Sequence, residues 1–145
     1  MKIAICSGYF DPIHIGHIEY IKRSKALADF LIVIVNNDHQ AFLKKNLSFQ
    51  SEDERVQIVG SIECVDEVVL SVDEDRTVCK TIEGIFNRYK EGNSFIFTNG
   101  GDQTKEVIPE KEICNKLGIG VVDKIVGQLN SSSKILEKYK DKVKK

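Results

Sequence analysis

Two histidines, His14 and His17, stand three residues apart in the run Gly8-Tyr9-Phe10-Asp11-Pro12-Ile13-His14-Ile15-Gly16-His17, directly after the apolar residues Ile3-Ala4-Ile5-Cys6. A buried strand ending in a glycine turn and followed by a helix points free backbone N–H groups and the positive end of a helix dipole at whatever binds there, which suits an anion. At the start of a helix this spacing lets both imidazoles face one bound group, and Gly16 between them leaves room for that group to approach the backbone. A neutral imidazole donates one hydrogen bond and an imidazolium two, so the pair suits the extra negative charge on a phosphorus atom under attack. Histidines at a helix start also serve as structural caps. The joint occurrence of the glycine turn, Phe10-Asp11 and the strand-turn-helix setting favours the chemical role, on a nucleotide.

The segment from Gly8 to His17 resembles the signature of the cytidylyltransferase-like nucleotidyltransferases. Asn36-Asn37-Asp38, Lys44, Glu54-Arg55, Val65-Asp66-Glu67-Val68-Val69, Gly100-Gly101-Asp102 and Ser131-Ser132-Ser133-Lys134 follow in the order that family shows, so the resemblance spans essentially the whole chain. The chain is similar to members of the glycerol-3-phosphate cytidylyltransferase, heptose-1-phosphate adenylyltransferase and archaeal FAD synthetase types, and the resemblance singles out none of them. It implies transfer of a nucleoside monophosphate from magnesium-bound ATP or CTP to a small phosphorylated acceptor, with release of pyrophosphate. An acceptor phosphate oxygen would attack the α-phosphorus in line with the departing pyrophosphate, with no covalent enzyme intermediate.

The same resemblance implies catalytic roles for His14, His17 and Lys44, and nucleotide-binding roles for Gly8, Tyr9, Phe10, Asp11, Gly16, Asp102, Ser131, Ser132, Ser133 and Lys134. It implies no metal site of the protein's own; Mg2+ would arrive with the triphosphate. Asp11 is expected to order the turn and not to act as a base. Lys44 is expected to be a phosphate ligand in a loop able to fold over a ligand, with Lys45 as the fallback. Arg55 matches a family arginine, although a surface ion pair with Asp53 or Glu52 would look the same. The serine run reads alone as a capped polar loop; opposite the histidine turn it becomes a second helix N-terminus, able to bind the outer phosphates with Lys134.

Two features bear on which nucleotide is used and whether the chain is active. Gly100-Gly101-Asp102 resembles the heptose-phosphate adenylyltransferases more than the glycerol-phosphate cytidylyltransferases, which tilts the choice slightly toward ATP. Related cytidylyltransferases carry an Arg-Thr-Glu-Gly-Ile segment before the serine, whereas this chain has Val126-Gly127-Gln128-Leu129-Asn130, so Lys124 or Lys134 must supply that charge or binding is weaker. The missing arginine keeps open an alternative, a noncatalytic nucleotide-binding protein of the same fold, which pyrophosphate release would separate from an enzyme. His14-Ile15-Gly16-His17 is also the signature of class I aminoacyl-tRNA synthetases, but their length, lysine-serine-lysine loop and tRNA-binding domains are absent from this sequence.

These residues need a scaffold that gathers them. Short apolar runs alternate with helical patterns, which predicts an α/β fold: a Rossmann-like three-layer sandwich with a five-stranded parallel sheet and helices on both faces. Strands are expected over about 2–7, 30–36, 65–71, 94–99 and 120–125, and helices over about 15–28 and 76–89. The first helix repeats apolar residues at Ile18, Ile21 and Leu27. A helix starting at Ser51 has Glu54 placed for a reciprocal cap, Pro109 and Gly118 bracket a further one, and a last begins near Ser131. In such sheets ligands bind beyond the carboxyl ends of the strands where strand order reverses, and the singled-out residues nearly all follow strands.

Composition bounds the rest. With 145 residues, 41% hydrophobic and 30% charged, the chain predicts one domain over 1–145 with one sizeable core. A net charge of -1 argues against a general nucleic-acid binder, and the basic stretch from Lys138 to Lys145 reads as a solvated helix end. Cys6, Cys64, Cys79 and Cys114 form no Cys-x-x-Cys pair and are expected to be buried and unpaired. Without a signal core or a membrane-length apolar run, a cytoplasmic location is expected. The resemblance implies a homodimer, for which the stretch Ser61-Ile62-Glu63-Cys64-Val65 with Val68 and Leu70 is the candidate surface.

Overall fold

The computed structural model describes residues 1–100, 108–123 and 125. In chain order the elements are β1 Lys2–Gly8, α1 Ile15–Ala26, β2 Phe30–Val35, α2 Asp38–Lys45, α3 Glu52–Gly60, β3 Glu67–Leu70, α4 Cys79–Tyr89, β4 Ser94–Thr98, α5 Glu110–Leu117 and β5 Gly120–Val122. The five strands pair in the order β3-β2-β1-β4-β5, all parallel. The chain winds outward from β1 to β3 and then returns to place β4 on the other side of β1. That reversal leaves a crevice at the carboxyl ends of β1 and β4.

Strand alternation divides the core in two, because successive side chains point to opposite faces. Ile3, Ile5, Ile32, Ile34 and Phe97 pack with Val78, Ile82 and Ile85 of the α4 side. Ala4, Cys6, Leu31, Val33 and Val35 pack with Tyr20, Ile21 and Val59 on the opposite face. The central strands are therefore apolar on both faces, which is why they read as continuous runs.

Boundaries depart from expectation where capping decides them. The face that α1 buries is Tyr20, Ile21 and Ser24, while Leu27 is 41% exposed. Polar residues are buried there because Ser24 Oγ bonds Tyr20 O at 2.9 Å and Thr98 Oγ1 at 2.7 Å, so its hydroxyl is satisfied. The loop expected to carry Lys44 and Lys45 is instead α2: Asn37 caps it, its side chain accepting from Gln40 N while the Gln40 side chain accepts from Asn37 N. At α3 only half of the expected reciprocal cap forms. Ser51 Oγ accepts from Glu54 N at 3.2 Å, but the Glu54 carboxylate turns to Gln50 Nε2 at 3.1 Å. Gly118, at φ +75, ends α5 in the left-handed conformation that glycine adopts without strain.

All four cysteines are free. Cys6 and Cys114 are buried as expected, whereas Cys64 and Cys79 are only half-buried, because they lie at a helix-to-strand turn and at the first position of α4. Among the described residues no helix is long and apolar enough to cross a membrane. The expected final helix lies outside the described residues.

Candidate active site

At the end of β1 the backbone turns through Phe10, whose φ of 52° is uncommon for a bulky residue and is held by burial of its ring to 1% exposure. Gly8 makes this possible: a Cβ there would meet Phe10 Cζ at 2.7 Å. The buried ring meets His17 edge-on, with centroids 5.1 Å apart. A strained backbone position thus supports a candidate catalytic side chain.

His14 is the N-cap of α1, and the two imidazoles form its capping box. His14 Nδ1 accepts the Gly16 N–H at 3.1 Å, and His17 Nδ1 accepts the His14 N–H at 3.1 Å. The rings stack with centroids 3.8 Å apart. With both Nδ1 atoms accepting, the neutral rings carry their protons on Nε2. Burial, aided by the nearby charges of His14, Lys45 and Lys44, holds His17 down to a pKa of about 4. His17 is thus a neutral Nε2–H donor at neutral pH.

The expectation that the first N–H groups of this helix meet the ligand needs correcting. The Gly16 N–H is turned to His14 Nδ1 and the His17 N–H to His14 O at 2.9 Å, so capping consumes both donors. The helix dipole still favours an anion at this end.

Asp11 orders the turn, as expected. It is 5% exposed, and its carboxylate accepts the N–H groups of Phe49 at 2.9 Å and Gln50 at 2.7 Å. Lys45 Nζ donates to Asp11 O at 2.6 Å and lies 3.8 Å from the carboxylate. Lys44, one residue earlier, instead lies over the Tyr9 ring, 4.3 Å from its centroid, with its pKa lowered by burial and by the neighbouring Lys45 and Arg76 charges. The two lysines therefore part company: Lys45 braces the turn and Lys44 lies on the Tyr9 ring.

Arg55 makes no surface ion pair with Asp53 or Glu52. It is fully buried, donating from Nε to Gln50 O at 2.9 Å, from Nη1 to Tyr9 O at 2.8 Å and Asn36 O at 2.6 Å, and from Nη2 to Asp38 Oδ1 at 2.8 Å. Three backbone carbonyls and a carboxylate converge there, so the planar five-donor guanidinium ties the ends of β1 and β2 to the starts of α2 and α3. Tyr20 performs a similar task on the other side, its hydroxyl donating to Thr98 O at 2.8 Å and linking α1 to the end of β4.

Gly8, Tyr9, Phe10, Asp11, His14, Gly16, His17 and Lys44 are thus brought to one end of the sheet. Asp102, Ser131, Ser132, Ser133 and Lys134 lie outside the described residues, as does Lys124. Sequence reasoning missed Gln40, although the Asn37-x-x-Gln40 spacing is itself a capping signature that could have revealed α2. A cavity of about 500 Å³ opens separately at the ends of β2 and β3, lined by Asn37, His39, Glu52, Ser71, Asp73 and Glu74 among others. Among the described residues no cluster of His, Cys, Asp or Glu side chains is placed to hold a metal ion.

Comparison with known proteins agrees with this arrangement. A model of the cytidylyltransferase-like family matches residues 5–138. An FAD synthase from Thermoplasma volcanium is 34% identical over 138 residues, covering 92% of this chain and 91% of that protein. An FAD synthase from Picrophilus torridus is 32% identical, covering 93% of each. The bifunctional protein HldE of Citrifermentans bemidjiense is 31% identical over 94% of this chain, which spans 27% of that longer protein. Among solved structures, the lipopolysaccharide core biosynthesis protein from Thermoplasma volcanium superposes with a TM-score of 0.64 at 30% identity, covering 85% of this chain and 93% of that one.

Proposed function

Because the chain belongs to the cytidylyltransferase-like family and is a nucleotidyltransferase, we propose that it transfers the adenylyl group of ATP to the phosphate of flavin mononucleotide, forming FAD. Whole-length similarity supports this acceptor: the FAD synthase relatives match end to end, whereas HldE matches over about a quarter of its length. In the reaction an acceptor phosphate oxygen forms a bond to the α-phosphorus. The bond from that phosphorus to the bridging oxygen breaks, and pyrophosphate departs with the electron pair.

One observation carries the mechanism: the stacked His14–His17 pair, with both Nδ1 atoms occupied by backbone N–H groups. In this reading the imidazole Nε2–H groups donate, in fixed orientation, to the equatorial oxygens of the α-phosphate, where charge builds up during displacement. Preorganised donors stabilise that charge without reorganising at the moment of reaction. Lys44 adds a mobile positive charge. Asp11, Lys45 and Arg55 hold the turn but touch no reacting atom. The magnesium belongs to the nucleotide substrate and is carried by its phosphates. Asp102 and Ser131 to Lys134 complete the nucleotide site in this reading, and the domain extends over 1–145.

The testing experiment is a pyrophosphate-release screen of ATP and CTP against flavin mononucleotide, glycerol 3-phosphate and sugar phosphates. ATP with flavin mononucleotide should turn over fastest, with FAD appearing in equal amount to pyrophosphate. Nucleotide binding without pyrophosphate release from any pair would establish the noncatalytic alternative. The same proposal places the enzyme in the cytoplasm as a homodimer through the edge strand β3, where Val68 and Leu70 are only half-buried. A monomeric mass by light scattering at micromolar concentration would refute the dimer.

A further inference from the structure

Large apolar side chains stand in solvent on the segment that packs against the histidine turn. Phe42 (57% exposed), Leu43 (47%), Leu47 (55%) and Phe49 (72%) lie on the second half of α2 and on the stretch that follows it. They are half of the exposed large apolar side chains among the described residues, and Ile15, between the two histidines, is another. A concentration of this kind on a surface marks a place that something apolar covers.

The backbone beneath these side chains is fastened at several points. Asn46 ends α2 in the left-handed conformation at φ 64°, its N–H donating to Phe42 O at 2.8 Å. Ser48 Oγ donates to Asp38 Oδ1 at 3.0 Å and to Gln50 O at 2.6 Å. The N–H groups of Phe49 and Gln50 both end on the buried Asp11 carboxylate, at 2.9 and 2.7 Å. Phe49 is therefore one hydrogen bond from the turn that leads into His14 and His17, and its ring is held out into water by a backbone that is itself fixed. Ordering the segment needs only its backbone and polar groups, so the exposed apolar side chains call for a separate reason.

We propose that the surface carrying Phe42, Leu43, Leu47 and Phe49 receives the planar ring system of the flavin acceptor, with Phe49 as a specificity-determining residue. The inference rests on the adenylyl-transfer reading given above. Flavin mononucleotide is long: its phosphate must reach the histidine turn, while the ribityl chain sets its tricyclic ring away from the reacting atoms. A segment tied to that turn through Asp11 lies where such a ring needs support. The faces of the ring are apolar and suit aromatic and aliphatic side chains. Charge agrees as well, since residues 39–50 include two lysines and no carboxylate, which complements an acceptor whose ring is joined to a phosphate. A sugar phosphate, hydroxylated all round, would leave these side chains in water.

The test uses the full chain with Phe49→Ser, Phe49→Tyr and Phe42→Ser. Binding of flavin mononucleotide, and of riboflavin as a probe with the ring but no phosphate, is followed by fluorescence anisotropy; pyrophosphate release is followed with either substrate varied. Phe49→Ser should weaken binding of both flavins, and raise the KM for flavin mononucleotide, by about tenfold while the KM for ATP stays within about twofold. Phe49→Tyr keeps the ring and should stay within about twofold of the parent, and Phe42→Ser should show a smaller loss of the same kind. Unfolding should be unchanged in all three, because the substituted side chains are exposed. Flavin binding unaltered by Phe49→Ser in a protein that still forms FAD would overturn the platform and leave the adenylyl-transfer reading standing. Binding that depends on Phe49 in a protein that releases no pyrophosphate would overturn that reading and leave the platform standing. Failure of the parent protein to bind either flavin would overturn the platform, as would a Phe49→Ser variant that binds flavin normally but falls to a smaller mass by light scattering, which would give the surface to a second copy of the chain.

Discussion

His17 takes the His14 N–H on its Nδ1 at 3.1 Å while stacking on the His14 ring, so one imidazole is at once a helix cap and a candidate catalytic donor. This double use changes what a substitution at residue 17 measures.

Loss of the ring in His17→Ala removes the cap as well as the donor, and should cost about 0.5–2 kcal/mol of stability besides slowing turnover. His17→Gln separates the two, because Gln40 already performs this capping role in α2, its Oε1 accepting the Asn37 N–H at 3.0 Å. The glutamine variant should unfold within about 1 kcal/mol of the parent yet turn over about a hundredfold more slowly. Denaturant unfolding and pyrophosphate release, run on the same preparations, check this.

Protonation of the ligand-free protein follows from the same burial. His17 is lowered from 6.5 to about 4, so the unfolded chain takes up the proton first and stability rises with pH across that interval. The contribution of His17 is therefore fully present above pH 6.5 and lost as pH falls toward 4. NMR titration should find the ring neutral at pH 5.5, whereas a midpoint near the ordinary 6.5 would contradict this environment. His17→Gln should flatten the dependence of the unfolding midpoint over the same interval.

Adjacent lysines should behave differently. Lys44→Ala should leave unfolding unchanged and raise the KM for a phosphate-bearing substrate by about tenfold, since its ammonium faces the Tyr9 ring and has no ion-pair partner among the described residues. Lys45→Ala should instead lower stability by about 0.5–1.5 kcal/mol, because it removes the donor to Asp11 O. Equal kinetic effects from both would show that the division of roles is wrong.

Arg55 offers a purely structural control. Arg55→Met leaves Tyr9 O, Asn36 O and Gln50 O without their donor and Asp38 without its partner, and should destabilise by about 3 kcal/mol or more. Arg55→Lys should recover little, since an ammonium cannot span four acceptors around a planar fork. Thermal and denaturant unfolding of the three proteins decide the matter.

The linear order of residues was enough to determine the alternation of strands and helices, the parallel sheet and the histidine turn. Apolar runs such as the one through Ile32 and Ile34 are buried on both faces, and glycine, proline and serine punctuate the chain locally. Capping at Ser51 and Gly118 was legible for the same reason: its partners lie within a few residues. The third dimension decided which charged groups serve the fold. Arg55 and Lys45 carry the same charge as Lys44, but Arg55 meets the Tyr9 carbonyl 46 positions away and Lys45 the Asp11 carbonyl 34 positions away. No spacing rule encodes such a meeting. It exists only once the sheet has brought the ends of β1, β2 and β3 together, and burial there turns a surface-type residue such as Arg55 into an anchor.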